Sequence, residues 1–106
     1  MISVLEEIIL SAILRLGENA YGVTIRRKVS EITQRDLVYG TLYNTLDQLV
    51  QKGLIHKTRG EPTGERGGRS RMLYTLTERG IRELKEAREL QNKIWRGLAG
   101  FMSERE

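Results

Sequence analysis

The sequence of 106 residues has no cysteine and contains only one histidine, one proline and one tryptophan. Without cysteine, disulfide bridges, thiolate zinc sites and cysteine nucleophiles are excluded. With His56 as the sole histidine, a transition-metal site is not expected. The most apolar stretch runs only from Ile8 to Leu14, too short to span a bilayer. Glu6 and Glu7 stand where an export signal would be basic, so we expect a cytoplasmic protein.

Motifs of catalysis are also missing. The sequence has no HExxH, P-loop or dinucleotide-binding fingerprint and no recognisable pair of nucleophile and base. The glycines at 60, 64, 67 and 68 do not open a helix after a buried strand, so they do not form a phosphate cradle. We therefore expect neither an enzyme nor a cofactor nor a metal. The length supports a single modest core, with roughly 6,000 Å² exposed after folding.

The positive charge is concentrated in one region. The net charge is +4, but residues 20–71 carry ten Lys and Arg against five Asp and Glu. The rest of the chain carries eight against nine. Such a concentration favours a polyanionic partner, although a solubilising basic surface is the alternative.

Apolar periodicity predicts four helices and one hairpin. Helices are expected over residues 2–16, about 20–33, about 39–52 and 78 to about 103, and strands over 54–58 and 72–76. The glycine-rich stretch 59–71 is expected to be an exposed hairpin loop. This order predicts a mainly α fold with a small β-hairpin: a winged helix-turn-helix plus a C-terminal dimerisation helix. Residues 1–76 would form the DNA-binding part and residues 77–106 the dimerisation helix, within one compact domain.

The first and last predicted helices indicate a homodimer. The first is apolar around nearly its whole circumference, whereas a surface helix shows one apolar stripe. The last carries a stripe longer than the small core of residues 1–76 can cover. We expect the two to pack across a dimer interface. The candidate interface residues are Leu5, Ile9, Ile13, Leu90, Ile94, Leu98 and Phe101.

The third predicted helix has polar residues where a recognition helix needs them. At 100° per residue, Asn44 lies roughly opposite Leu42, with Thr41 and Gln48 beside it. The N-terminal part of such a helix contacts base edges in the major groove, and Asn and Gln suit adenine. The alternative interpretation is a solvated helix face.

Neighbouring residues extend the candidate DNA surface. Gly40 would let the backbone approach DNA closely, and Tyr39 and Tyr43 can meet phosphates or thymine methyl groups. Arg26 lies on the second predicted helix, which crosses the phosphate backbone in helix-turn-helix proteins. A solvated basic face is the alternative for Arg26.

Basic residues also flank or occupy the glycine-rich loop. They are Lys57, Arg59, Arg66, Arg69 and Arg71. A flexible cationic loop can reach backbone phosphates or a narrow minor groove. The alternative is a charged loop with no partner, and Glu61 and Glu65 reduce its positive charge.

Trp95 is the single tryptophan and lies at the flank of the last apolar stripe. Tryptophan is enriched at interfaces, which favours a dimer anchor. The alternative is one wall of a pocket for a small aromatic effector between subunits.

Six short motifs in order resemble the PadR-like transcriptional regulators, over about residues 3–90. They are Ala20-Tyr21-Gly22, Gly40-Thr41-Leu42-Tyr43, Leu46-x-x-Leu49, Lys52-Gly53-Leu54-Ile55, Gly67-Gly68-Arg69 and Tyr74-x-Leu76-Thr77-Glu78-x-Gly80. The length and the C-terminal helix resemble the short subgroup of this family. The resemblance implies a winged-helix homodimer that usually represses transcription until a signal relieves it. It also implies DNA-contacting roles for Tyr21, Thr41, Tyr43, Gly68 and Arg69.

Two departures lie on the predicted recognition helix. Asn44 replaces a proline that many members carry, and Val38-Tyr39 replaces a Ser-Pro pair. The operator of a relative therefore cannot be transferred to this chain. Multidrug-binding short members place a tryptophan on the last helix, but Trp95 lies about one turn beyond that position.

These patterns predict a sequence-specific DNA-binding regulator, a homodimeric repressor with a near-palindromic operator. Two alternatives remain: a ligand-sensing regulator with an aromatic-ligand pocket at the dimer interface, and a winged-helix protein-interaction module. The candidate DNA-contacting residues are Tyr21, Arg26, Tyr39, Gly40, Thr41, Tyr43, Asn44, Gln48, Arg66, Gly68, Arg69 and Arg71.

Overall fold

The computed structural model describes residues 1–62 and 70–103. Its elements are α1 (Val4–Leu16), α2 (Gly22–Thr33), α3 (Tyr39–Gln51), β1 (Ile55–Pro62), β2 (Ser70–Leu76), α4 (Glu78–Trp95) and α5 (Leu98–Ser103), with a 3-10 turn at Gly17–Asn19. The predicted order of three helices, a hairpin and a C-terminal helix is confirmed. So is the fold class, a mainly helical winged helix-turn-helix.

A capping box starts α1. The amide of Glu6 donates to Ser3 Oγ at 3.1 Å, and the amide of Ser3 donates to Glu6 Oε1 at 2.9 Å. This reciprocal pairing satisfies amides that the first helical turn would leave open. It starts the helix at Val4, two residues later than the apolar pattern predicts.

The core lies where α1 packs against α2, α3, α4 and the hairpin. It consists of aliphatic side chains from α1, α2, α3, the start of β1 and the segments next to them, together with Tyr74 of β2. The buried apolar residues are Ile9, Leu10, Ala12, Ile13, Ala20, Ile25, Val29, Leu42, Leu46, Leu49, Leu54, Ile55 and Tyr74. α3 therefore has a fixed inner side, and its other side faces solvent.

The hairpin is longer than its sequence pattern indicates. β1 and β2 pair antiparallel, with Ile55 opposite Leu76 and Arg59 opposite Met72. The strands reach Pro62 and begin again at Ser70, so both ends of the expected loop 59–71 are strand. The reason is that a two-stranded ribbon satisfies its backbone groups by pairing, which needs no apolar side chains.

The C-terminal helix is divided in two, whereas the sequence predicts one helix to about residue 103. Thr77 caps the start of α4, because its Oγ1 accepts from the amide of Gly80 at 3.0 Å. α4 ends at Trp95, and Arg96 adopts an extended conformation. Gly97 then has a φ of 74°, a left-handed conformation that glycine adopts without steric cost. The break separates α5 from α4.

The chain is elongated. Its radius of gyration is 16.5 Å and its longest extent 59 Å, whereas a compact chain of this length has a radius of gyration of about 13 Å. Its accessible surface of 7842 Å² also exceeds the roughly 6,000 Å² expected of a compact monomer. The elongated shape and the large surface come from the C-terminal half of α4 and from α5. In the described part of the chain, these helices have no buried residue after Gly80.

Candidate nucleic-acid interface

α3 separates its residues into an apolar and a polar side. Leu42 and Leu46 are fully buried, while Thr41, Asn44 and Gln48 are exposed. Within residues 1–62 and 70–103, the side chains of these three residues make no hydrogen bond to protein groups. The helix therefore presents free donors and acceptors near its N-terminal half, as the predicted base-reading surface requires.

Thr45 also carries a hydroxyl but does not belong to this surface. Its side chain is buried, and Oγ1 donates to the Thr41 carbonyl at 2.8 Å. A hydroxyl satisfied within its own helix has no donor left for a base.

α2 supports the start of α3 through a column of side chains. The guanidinium carbon of Arg26 lies 4.7 Å from the ring centroid of Tyr39. That ring stacks on Tyr43 with centroids 6.2 Å apart and planes 20° apart. The Tyr43 hydroxyl lies against Gly22, where any Cβ would collide with it. Both rings are partly exposed, so they border the polar surface of α3.

A basic cleft separates the start of α2 from the hairpin. It has a volume of about 320 Å³ and is bordered by Tyr21, Tyr43, Lys57, Arg71 and Tyr74 among other residues. The Arg71 guanidinium carbon lies 4.4 Å from the Tyr21 ring centroid. The cleft thus combines two cationic side chains with hydroxyl-bearing rings, a combination that suits a phosphodiester.

Tyr74 closes the floor of this cleft. Burial raises the pKa of its hydroxyl above the ordinary value of 10.0, and the charges of Tyr43 and Asp47 raise it further. The hydroxyl therefore stays protonated at neutral pH and adds no negative charge to the cleft.

Lys57 was named from the sequence among the basic residues of the hairpin, but it was not in the final list of candidate DNA contacts. Strand pairing places it opposite Tyr74, and the fold then brings it beside Tyr21 and Arg71. Its position in a basic hairpin was a visible signal, but the pairing partner could not be known from the sequence. The predicted contacts Arg66, Gly68 and Arg69 lie outside the described residues.

The opposite end of α3 is tied to α1 by an ion pair. Lys52 Nζ lies 2.6 Å from Glu6 Oε2, and Glu6 is buried while Lys52 is half-exposed. Burial by itself would raise the pKa of Glu6. The hydrogen bonds from Lys52 and from the Ser3 amide, with the charge of Lys52, outweigh burial and hold that pKa below its ordinary value.

Among the described residues, no group of three or more His, Asp or Glu side chains is arranged to hold a metal ion. No helix in residues 1–62 and 70–103 is long and apolar enough to cross a membrane.

Comparison with known proteins identifies the family. The model of the family described as "Transcriptional regulator PadR-like family" matches residues 9–86, which is more than half of the chain. The chain belongs to this family. PadR-like proteins are transcriptional regulators and not enzymes, so the expectation that this chain is not an enzyme is confirmed. A search of curated proteins finds no significant match.

Solved structures share the fold of this PadR-like regulator. A PadR-like transcriptional regulator from Bacillus cereus has a TM-score of 0.75 at 23% identity, covering 93% of this chain and 91% of that one. A transcriptional regulator from Clostridium thermocellum has a TM-score of 0.74 at 26% identity, covering 95% and 98%. A PadR family transcription regulator from Clostridium difficile has a TM-score of 0.64 at 28% identity, covering 93% and 95%.

Two predicted interface residues of the PadR-like chain are corrected by its structure. Ile9 and Ile13 are buried in the core of a single chain, so they have no surface left for a partner. Leu5 is half-buried and packs on the same core. The all-round apolar pattern of α1 is explained mainly by contacts with α2, α3, α4 and the hairpin.

The remaining candidate interface residues lie on the projecting C-terminal part. Ile94 is 52% exposed and Phe101 is 71% exposed. Leu90 is also exposed, and Leu98 is half-buried. These side chains are accessible in the single chain, so a partner chain could bury them.

An apolar groove runs between α1 and α4 of the PadR-like chain. Its volume is about 570 Å³, and its apolar lining comes from Ile8, Leu14, Ile32, Ile81 and Leu84. None of these residues was among the predicted interface residues. The α1 pattern included Ile8 and Leu14, but periodicity cannot tell which side of a helix its own chain covers.

Trp95 ends α4, directly before the break at Arg96 and Gly97. Its side chain is 54% exposed. It borders neither the basic cleft nor the groove between α1 and α4. Within the described part of a single chain, Trp95 therefore forms an exposed aromatic surface.

Proposed function

We propose that this PadR-like regulator binds duplex DNA sequence-specifically as a homodimer and represses transcription from a near-palindromic operator. We place it in the cytoplasm, because such a regulator acts where the operator is. The observation that carries the proposal is the exposed side of α3, where the side chains of Thr41, Asn44 and Gln48 make no hydrogen bond to residues 1–62 or 70–103.

The chemistry of α3 supports base reading. The amides of Asn44 and Gln48 can donate and accept at once, which matches the adjacent N6 donor and N7 acceptor of adenine. Thr41 can donate or accept through its hydroxyl. Gly40 carries no side chain, and a Cβ there would meet no heavy atom of the described residues within 4 Å. This part of the backbone is therefore open to an approaching ligand.

The basic cleft supports contact with the DNA backbone. Lys57 and Arg71 border the cleft together with the first residues of α2, so they can hold a phosphate near the positive end of that helix dipole. The Arg71 guanidinium is oriented by the Tyr21 ring, so its direction is partly set before DNA arrives.

A homodimer accounts for the exposed apolar surface. The groove between α1 and α4 accepts an apolar helix, and the projecting residues Leu90, Ile94 and Phe101 supply one. Two copies exchanging these elements would bury both surfaces by one two-fold contact.

Selection of bound DNA from a random pool tests this function. We expect a site with two related halves whose centres lie about 34–36 Å apart. Asn44→Ala should change base preference at one position of each half-site and lower affinity for random duplex far less. Equal loss on operator and random DNA would contradict base reading by Asn44. No affinity for any duplex above background would instead favour a protein-interaction module.

Transcription in vitro tests the direction of regulation. With the selected site overlapping a promoter, added protein should lower transcript yield, and the same template with a scrambled site should be unaffected. A rise in yield on the intact site would replace repression by activation.

Trp95 supports a small aromatic effector as a second proposal. Its indole is half-exposed, and it is the single tryptophan of the chain, so its fluorescence reports on one place. Planar aromatic compounds should quench this fluorescence and release DNA over the same concentration range. Quenching without release would limit Trp95 to a role as a dimer contact.

A further inference from the structure

Arg26 directs its charge toward its own chain. Nε donates to the carbonyl oxygen of Leu37 at 2.6 Å, and the guanidinium carbon stands 4.7 Å from the centre of the Tyr39 ring. The side chain is half-buried. A guanidinium that donates to a carbonyl and also stacks over an aromatic ring has its orientation fixed by the protein.

The start of α3 needs such an orienting group. Val38 occupies the N-cap position, and its side chain makes no capping hydrogen bond, because valine has no polar atom to offer. The first turn of a recognition helix is the part that meets base edges. In this chain that turn lacks the side-chain cap that Ser3 gives α1 and Thr77 gives α4.

The contacts between α2 and α3 form two matching levels. Gly22 and Arg26 are four residues apart on α2, and Tyr39 and Tyr43 are four residues apart on α3, so each pair shares one helix face. Arg26 meets Tyr39 at one level, and Gly22 meets Tyr43 at the other. Stacking of the two rings joins the levels. The direction of the first turn of α3 is therefore set from α2.

We infer that Arg26 is a positioning residue for base reading, which holds the first turn of α3 through the Leu37 carbonyl and the Tyr39 ring and does not bind a phosphate. This inference rests on the proposed function, and it replaces the role that the position of Arg26 on α2 predicts from the sequence. Removing Arg26 should loosen the geometry of Asn44 and Thr41 and leave the number of phosphate contacts unchanged.

Salt dependence separates the two roles. The variants are Arg26→Ala and the matched Arg27→Ala, which removes the same charge from an exposed neighbour without the contacts to Leu37 and Tyr39. Affinity for the selected operator and for random duplex is measured over a series of salt concentrations. Arg26→Ala should lower operator affinity about tenfold, leave random-duplex affinity nearly unchanged and keep the salt slope. Arg27→Ala should change both affinities by the same factor.

The ratio of operator to random-duplex affinity guards against loss of folding. A reduced folded fraction lowers both affinities equally, so the ratio stays constant. Loss of affinity on both duplexes, with a salt slope smaller by about one, would show a phosphate contact and overturn the inference. If the wild-type chain binds no duplex, the proposed function itself fails, whatever Arg26 does.

A double-mutant cycle tests the route through Tyr39. Arg26→Ala, Tyr39→Ala and the double variant are compared by the same affinity ratio. If Arg26 acts through the ring, the double variant should lose little more than Tyr39→Ala alone. Losses that multiply independently would contradict this route.

Discussion

Gly80 marks the closest approach between α4 and the rest of the winged helix. A Cβ at this position would collide with the carbonyl oxygen of Leu54. The same carbonyl accepts a hydrogen bond from the amide of Thr77 at 3.0 Å. The glycine of the family-like motif ending at Gly80 is therefore explained by a contact with backbone, which cannot move aside as a flexible side chain can.

Gly80→Ala should lower the free energy of unfolding by about 1–3 kcal/mol, the usual cost of forcing extra atoms into a packed site. Urea denaturation followed by circular dichroism measures this value. Gly100→Ala is the matched control, because a Cβ at Gly100 in α5 meets no heavy atom within 4 Å. Equal stability of the two variants would contradict the contact.

Glu6 and Lys52 give α1 and α3 a pH-dependent connection. The pKa of Glu6 lies below its ordinary value of 4.5 in the folded chain. A carboxyl with a lowered folded pKa stabilises fully above its unfolded pKa and loses that contribution as the pH falls through the folded pKa. Stability should therefore decline in acid, below about pH 4.5.

Lys52→Met should lower stability at pH 7 by about 1–2 kcal/mol, since it leaves a buried carboxylate without its charged partner. It should also flatten the fall in stability between neutral pH and the acid range, because the pKa of Glu6 is no longer lowered by Lys52. Denaturation at several pH values measures both effects.

Lys28→Met is the control for this pair. Lys28 forms a pair of similar length with Glu31, at 2.8 Å, but on an exposed helix surface. Exposed pairs contribute little to stability, so no measurable change is expected. A change as large as that of Lys52→Met would attribute the effect to methionine and not to burial.

At the scale of the element, the hairpin places Lys57 and Arg71 beside the start of α2. Lys57→Ala should reduce the slope of log affinity against log salt by about one, with the same loss on operator and random duplex, because a phosphate contact carries no base preference. Arg82→Ala, an exposed arginine of α4 that lines none of the clefts described above, should leave the slope unchanged. A loss confined to the operator would give Lys57 a role in base reading.

Helix boundaries show how far pattern reasoning reaches for a single element. The buried side of α3 follows from sequence spacing, because Leu42, Leu46 and Leu49 recur at helical intervals and all three are buried. The division after Trp95 was not predicted, because the apolar stripe is present on both sides of Gly97, with Ile94 before it and Leu98 and Phe101 after it. Periodicity reports which residues are apolar. A single residue in a left-handed conformation can change the direction of the chain without changing that periodicity.

At the scale of the whole molecule, several large apolar side chains of the described residues are exposed. Phe101, Ile94 and Leu90 lie on the part that projects from the body, and the groove between α1 and α4 lies open beside it. Contiguous exposed apolar surface of this kind marks an interaction site. The proposed dimer follows from the elongated shape together with the groove.

Ile94→Glu should raise the dissociation constant of the dimer by at least about tenfold, because a carboxylate would have to be buried without a partner. Sedimentation equilibrium measures this constant. Asn92→Glu brings the same change of charge at an exposed position of α4 and should leave association nearly intact. A wild-type chain that is monomeric at all concentrations tested would contradict the dimer.

The order of elements, the family and the polar side of α3 could all be read from the amino acids, because helical periodicity, glycine and capping residues act over a few neighbours. The sequence could not show that Ile9 is buried within its own chain. Nor could it show the direction of the Arg26 side chain or the placement of Lys57 beside Tyr21. Each depends on which distant surface comes to lie against that side chain. Ile9 and Ile94 are alike as aliphatic residues, and packing in three dimensions buries the first in the core and leaves the second exposed.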